Sequence, residues 1–104
     1  HYENFPVGSL LIPSDKRKYI YSIYAFARTA DDIADSDILS QAEKLKLLID
    51  YENELTNIEL NKSSPGNDDI RNIFAALSNT IKELNIPVKE FRDLLTAFKQ
   101  DAVK

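Results

Sequence analysis

The chain has 104 residues, a formal net charge of −4, 43% hydrophobic and 29% charged residues, and no cysteine. This length and balance fit one small globular domain, and the lack of cysteine excludes disulfides and thiolate metal sites. The acidic balance gives no reason to expect nucleic acid as a partner. No apolar run reaches the roughly 18 residues that a membrane span needs.

The two ends of the sequence favour a piece of a longer protein. The chain begins at His1, contains no methionine, and stops at Lys104 while a helical pattern is still running. It also shows no secretory signal peptide. We therefore expect an excised piece of a cytoplasmic protein.

Helical periodicity dominates the chain, and no strand pattern or repeat competes with it. The predicted helices cover about residues 15–35, 40–61, 68–84 and 88–103. Glycine and proline are too few for a loop-rich or β-rich fold, with two and four residues respectively. The predicted fold class is all-α.

The starts of three helices carry local signals. Pro13, followed by Ser14 and Asp15, favours a capped start of the first helix. The segment SQAE at residues 40–43 matches a capping box. Asn67 precedes two aspartates, which stabilise a helix N-terminus through the helix dipole.

The first helix contains the segment YAFARTADDIAD, in which acidic residues interrupt an apolar sequence. At about 100° per residue, four polar residues fall in one narrow stripe: Tyr24, Arg28, Asp31 and Asp35. Asp32 lies beside this stripe, while Phe26 and other apolar residues cover most of the remaining circumference. We expect Phe26 in the core and the stripe against charge or water.

Spacing alone leaves two interpretations of the stripe open. Asp31 and Asp35 stand one turn apart and suit a hard cation that takes oxygen ligands, and Arg28 offers a planar donor fork for phosphate. Alternatively, the segment is a solvated helix end in which Arg28 pairs with Asp31 or Asp32. In that alternative the aspartates lie at the C-terminal end of the helix, where their negative charge opposes the helix dipole.

Two other metal sites fit the sequence poorly. An EF-hand loop starting at Asp32 would place Ala34 at a ligand position and Asp37 where glycine is required. A histidine–carboxylate site has only His1 to draw on.

Two motifs carry a family resemblance: HYENFPVGSLLIP at the start and IYAFARTADDIAD at residues 23–35. Together they resemble the opening of the squalene/phytoene synthase family, particularly the bacterial squalene and hydroxysqualene branch of hopanoid synthesis. The resemblance continues through FRDLLTAFKQDAVK and covers essentially the whole chain. It implies the N-terminal helices of an all-α isoprenoid synthase fold. Members of the family couple two prenyl diphosphates, such as farnesyl diphosphate, head to head and use Mg²⁺ to do so. NADPH is implied where the parent protein reduces its product to squalene.

The resemblance also implies roles for individual residues. Asp31 and Asp35 would bind Mg²⁺ bridged to diphosphate, with Asp32 as a neighbour of less defined role. Arg28 would contact the diphosphate, with Tyr24 one turn before it on the same wall. His1 and Asn4 would lie near the diphosphate and Phe5 toward the prenyl chain. Tyr21 is a further candidate for the wall of the apolar cavity that the carbocation needs. Asn4 stands where many relatives carry a serine, and it still offers a hydrogen-bond donor.

The family's second aspartate-rich motif has no counterpart in residues 36–104. The segment NDDIRN at residues 67–72 lacks its spacing and is interpreted as helix capping. We therefore expect the parent protein to be the enzyme, associated with membranes at the periphery if at all, and this piece to be inactive alone.

Two further expectations concern surfaces. Three partner helices are not expected to cover all the apolar surface around Tyr21, Ile23, Phe26 and Ile33, so the piece is expected to self-associate or to rearrange its helices relative to the parent fold. A hypothesis from another class is a small all-α interaction module without catalysis, in which alanine at Asp31 and Asp35 would change nothing.

Overall fold

A computed structural model of the protein describes residues 14–103, and every regular element in that range is helical. After a 3-10 turn over Ser14–Lys16, four α-helices follow: α1 (Arg17–Ala34), α2 (Gln41–Glu59), α3 (Asp68–Leu84) and α4 (Val88–Ala102). The predicted all-α class is confirmed, and the helix bounds agree with prediction to within two residues. The roles expected of His1, Asn4 and Phe5 lie outside the described residues.

The N-termini of α2 and α3 are capped as the local sequence predicts. The Ser40 hydroxyl accepts a hydrogen bond from the Glu43 amide at 3.1 Å, and the Ser40 amide donates to the Glu43 carboxylate at 2.9 Å. The Asn67 side chain accepts from the Ile70 amide at 2.9 Å. Side chains thus satisfy backbone N–H groups that have no partner within the helix.

The start of α1 differs from the prediction. The chain first forms the 3-10 turn, and α1 begins at Arg17. Its N-cap residue, Lys16, has helical backbone angles and makes no side-chain capping hydrogen bond. The capping role predicted for Ser14 is wrong, because a 3-10 turn leads directly into the helix without the extended residue that a capping side chain requires.

We expect Ser40→Ala to lower the free energy of unfolding by about 1 kcal/mol, because it removes the cap of α2. The backbone and side-chain hydrogen bonds from Ser40 also lower the pKa of Glu43 below its ordinary value of 4.5. A lowered folded-state pKa contributes stability above pH 4.5, and this stability is lost as the pH falls through the folded-state value. Urea denaturation at neutral and acidic pH measures both effects; Ser63→Ala, in an exposed loop, is the control and should change neither.

The core forms around α1, which contacts each of the other three helices, while α2 packs along α4. Phe26 is fully buried. Its ring lies 6.1 Å from that of Tyr51, 5.8 Å from Phe74 and 5.5 Å from Phe91, measured between centroids. The last two contacts are edge-to-face, a favourable aromatic geometry. The predicted core position of Phe26 is confirmed.

The three partner helices cover part of the apolar surface of α1. Phe26 is buried, and Ile23 and Ile33 are partly buried against the core. Tyr21 remains 48% exposed. The three helices therefore cover Phe26 fully and Ile23 and Ile33 in part, but not Tyr21, so the four surfaces are not all covered, as expected. Self-association stays a prediction.

The described part of the chain contains no helix with the length and apolar character needed to cross a membrane.

Candidate functional site

The C-terminal half of α1 separates its apolar and polar side chains onto different faces. The buried residues are Phe26, Ala27, Ala30 and Ala34. Arg28, Asp32 and Asp35 are exposed, and Asp31 is partly buried. The small alanines let the neighbouring helices approach closely, so the apolar face is sealed and the acidic face stays accessible.

Asp31 and Asp35 are adjacent along this acidic face. Asp35 is the C-cap residue of α1, and its backbone N–H donates to the carbonyl oxygen of Asp31 at 2.9 Å. Burial raises the pKa of Asp31, and the charges of Asp35 and Asp32 raise it further, against the opposing effect of Arg28. The two carboxyl groups therefore share one surface with incomplete charge compensation.

Arg28 lies on the same helix and contacts Tyr24 and Asp32. Its Nη1 donates to Tyr24 Oη at 3.2 Å, and its Nε donates to Asp32 Oδ1 at 3.3 Å. The Arg28 and Asp32 side chains are 53% and 62% exposed, so their pairing adds little to stability. Of the two partners that the sequence left open for Arg28, the structure shows Asp32, because the i, i+4 spacing brings its carboxylate within reach of Nε.

The three aspartates do not converge as one metal centre. Within residues 14–103, no three histidine, cysteine, aspartate or glutamate side chains are placed to hold a metal ion together. Asp31 and Asp35 nevertheless fit part of a magnesium shell, since Mg²⁺ commonly takes one or two carboxylates and completes its shell with substrate phosphates and water. Asp32 is engaged by Arg28. Metal binding by these residues stays a prediction.

Tyr51 of α2 supports this part of α1, and sequence analysis missed it. The residue is 4% exposed, and its hydroxyl lies close enough to the Thr29 side chain for Thr29 to affect its pKa. The Thr29 hydroxyl in turn contacts the Ala25 carbonyl oxygen at 2.9 Å. Burial raises the pKa of Tyr51 above its ordinary value, although the nearby Thr29 side chain opposes the shift. Tyr51 and Thr29 lie on different helices, so no local pattern could identify their contact.

Tyr21 was expected among the substrate-side residues. It lies one turn before Tyr24 on α1 and is 48% exposed, whereas Tyr24 is partly buried. Its position is compatible with an accessible wall beside the acidic face, and its role stays a prediction.

Comparison with known proteins identifies the family of this chain. The sequence profile of squalene/phytoene synthases matches residues 1–104. The chain therefore belongs to the squalene/phytoene synthase family, in agreement with the resemblance carried by its two N-terminal motifs.

The relatives that the chain matches include hydroxysqualene synthases and phytoene synthases. The chain is 37% identical to the hydroxysqualene synthase of Rhodopseudomonas palustris over 102 residues, which cover 98% of this chain and 32% of the relative. It is 36% identical to the hydroxysqualene synthase of Sinorhizobium fredii, again over 98% of this chain and 32% of the relative. The phytoene synthase of Mycobacterium tuberculosis is 26% identical over 94% of this chain and 30% of the relative.

The chain thus spans about a third of the length of the curated relatives that it matches. No solved structure matches it.

Proposed function

We propose that the chain is the N-terminal part of a magnesium-dependent head-to-head prenyl transferase. The full-length protein would act on farnesyl diphosphate, through presqualene diphosphate, to form hydroxysqualene or squalene for hopanoid synthesis. The observation that carries this proposal is the adjacent Asp31–Asp35 pair, which stands beside Arg28 on the accessible face of α1 in a member of this family.

The residues of α1 divide the work of binding a diphosphate. Asp31 and Asp35 would hold Mg²⁺, which when bound offsets the negative charge that develops on a departing diphosphate. Arg28 would donate hydrogen bonds to the diphosphate oxygens, a geometry that its planar fork suits. Tyr24 accepts a hydrogen bond from Arg28 Nη1 at 3.2 Å and so limits the orientations of the guanidinium group.

The apolar face of the same helix contributes only through packing, because it is sealed against the other helices. Ionisation of an allylic diphosphate leaves a carbocation that water must not reach until the two prenyl chains are joined. The aromatic cluster around Phe26 fixes α1 against three other helices, so that the acidic face is held in place while the interior stays dry. Phe26 itself acts through packing rather than by touching the substrate.

The relatives support the hydroxysqualene branch over the phytoene branch. Two hydroxysqualene synthases are 37% and 36% identical to the chain, whereas the phytoene synthase is 26% identical over a similar length. Conversion to squalene would add a need for NADPH. A cytoplasmic enzyme with peripheral membrane association would suit apolar products of this kind.

Product analysis tests the proposal. The full-length protein is incubated with farnesyl diphosphate and Mg²⁺, with and without NADPH, and the C30 products, alcohol or hydrocarbon, are identified by mass spectrometry. We expect a C30 product that requires Mg²⁺. Recovery of unreacted farnesyl diphosphate under all these conditions would contradict the proposed reaction.

A change at Arg28 separates substrate binding from surface pairing. We expect Arg28→Lys to raise the KM for farnesyl diphosphate about tenfold in the full-length protein, because lysine cannot reproduce the bidentate fork. Arg71→Lys is a matched control, since the Arg71 side chain is 55% exposed and pairs with Asp68 on its own helix. Steady-state kinetics and a thermal melt of both variants make the comparison.

The same pair of variants addresses the interaction-module hypothesis. That hypothesis draws on the exposed Arg28–Asp32 pair, which by itself is an ordinary helix-surface contact. If the variants at Arg28 and Arg71 behave alike in catalysis, Arg28 is a surface residue and the proposed diphosphate role is lost.

A further inference from the structure

A cavity lies between α2 and α3, beside the loop that joins them. Its volume is about 430 Å³, which is within the range of small-molecule sites. The walls come from the C-terminal part of α2, the loop and α3, and α1 contributes none of them. The cavity therefore shares no residue with the acidic face that carries Asp31 and Asp35.

Glu54 supplies a buried acid to this cavity. The residue is 5% exposed, and its Oε1 is shielded from solvent without a hydrogen-bond partner in the described part of the chain. The linking loop approaches it closely, since a Cβ atom added at Gly66 would lie 3.2 Å from Glu54 Oε2. A buried carboxylate oxygen without a partner is unfavourable. Because Glu54 lines the cavity, a ligand there with an N–H donor and a positive charge would compensate its carboxylate.

The mouth of the cavity has the opposite charge. Lys62 and Lys82 line it and are exposed. Arg71 lines it too and forms an ion pair with Asp68. Neutral hydrogen-bonding side chains, including those of Asn57 and Ser78, lie among them. The cavity thus presents one carboxylate inside and lysine ammonium groups at its opening.

We propose that this cavity binds a small zwitterion, whose primary ammonium group contacts Glu54 and whose anionic group faces Lys62 and Lys82. A simple cation would be repelled by the lysines, and a simple anion would leave Glu54 without a partner. A ligand with both charges compensates the Glu54 carboxylate with its cation and the two lysines with its anion. Phosphoethanolamine, with an ammonium and a phosphate joined by two carbons, has this chemistry and occurs both as a soluble metabolite and as a lipid head group. This site is independent of the proposed prenyl transfer.

Calorimetric titration of the full-length protein tests the site with four probes: phosphoethanolamine, ethanolamine, inorganic phosphate and phosphocholine. Phosphocholine carries the same two charges but has no ammonium N–H to donate to Glu54. We expect saturable binding of phosphoethanolamine that is at least about tenfold tighter than that of the other three probes. Absence of saturable binding, or equal affinity for phosphocholine, would overturn the proposal.

Two sets of variants assign the binding to the cavity. Glu54→Gln keeps the shape of the side chain and should weaken binding at least about tenfold, while Glu83→Gln, on the exposed surface of α3 outside the cavity, should leave it unchanged. The double variant Lys62→Gln/Lys82→Gln changes only exposed residues and should fold. It therefore tests binding at the cavity even if Glu54→Gln fails to fold. Affinity unchanged in the double variant would sink the proposed orientation.

The source of the zwitterion is a separate comparison. Vesicles of phosphatidylethanolamine and of phosphatidylcholine are sedimented with the full-length protein and with Glu54→Gln. Retention on phosphatidylethanolamine that depends on Glu54 identifies a lipid head group as the ligand. Binding of the soluble probe without such retention identifies a soluble zwitterion, and both results support the site.

Discussion

Replacement of Asp31 and Asp35 together by asparagine is expected to lower prenyl transfer by the full-length protein at least about 10³-fold. Asparagine keeps nearly the same shape, so the backbone hydrogen bond from Asp35 to Asp31 and the fold should persist. The change removes both negative charges that would hold Mg²⁺ against diphosphate. Initial rates measured over a range of Mg²⁺ concentrations give the effect, and circular dichroism verifies that the helices remain.

Asp37→Asn is the control for this result. Asp37 is exposed in the loop that follows α1, close in sequence to the pair but outside it, and its loss alters the net charge of the same region. We expect its rates to stay near those of the unaltered protein. Retention of Mg²⁺-dependent turnover by the double asparagine variant would refute the metal site proposed at Asp31 and Asp35.

Phe26→Ala is expected to destabilise the protein by about 4 kcal/mol. The side chain is fully buried, and its removal both exposes apolar atoms of three facing rings and leaves a cavity that the helices cannot fill. Small domains are stable by only about 5–15 kcal/mol, so this one change removes a large share. Equilibrium urea denaturation of the 104-residue chain, followed by circular dichroism at 222 nm, measures the loss.

Two companion variants show that burial is the cause. Ile38→Ala removes an apolar side chain that is 93% exposed and should change the free energy of unfolding by less than about 0.5 kcal/mol. Phe26→Leu keeps much of the volume and should cost less than Phe26→Ala. A loss for Phe26→Ala no greater than that for Ile38→Ala would mean that the aromatic cluster does not hold α1 in place.

The two predictions concern opposite faces of one helix and are separable. The asparagine variants remove charge from the accessible face, where little packing depends on it. The alanine variant removes packing from the sealed face, where no charge is involved. The asparagine variant should therefore lose activity and keep its melting temperature. Phe26→Ala should lose stability in thermal as well as urea denaturation.

The sequence by itself determined the helices and their chemistry where the causes are local. Ser40 caps α2 through Glu43, and Asn67 caps α3 through Ile70. In each cap the two residues lie within one turn of each other, so a few neighbouring residues were sufficient to predict it. The arrangement of α1 with an apolar and an acidic face also follows from helical periodicity. The family resemblance came from short motifs in the same region. The start of α1 was missed because a 3-10 turn and a capped helix share the same turn-forming residues.

The tertiary structure decided what depends on neighbours from other helices. Spacing left Arg28 a choice between Asp31 and Asp32, and the structure pairs it with Asp32. The contact of Tyr51 with Thr29 joins different helices, as does the cavity that encloses Glu54. No periodicity encodes such contacts, because they arise only when the packing of side chains fixes how two helices lie against each other.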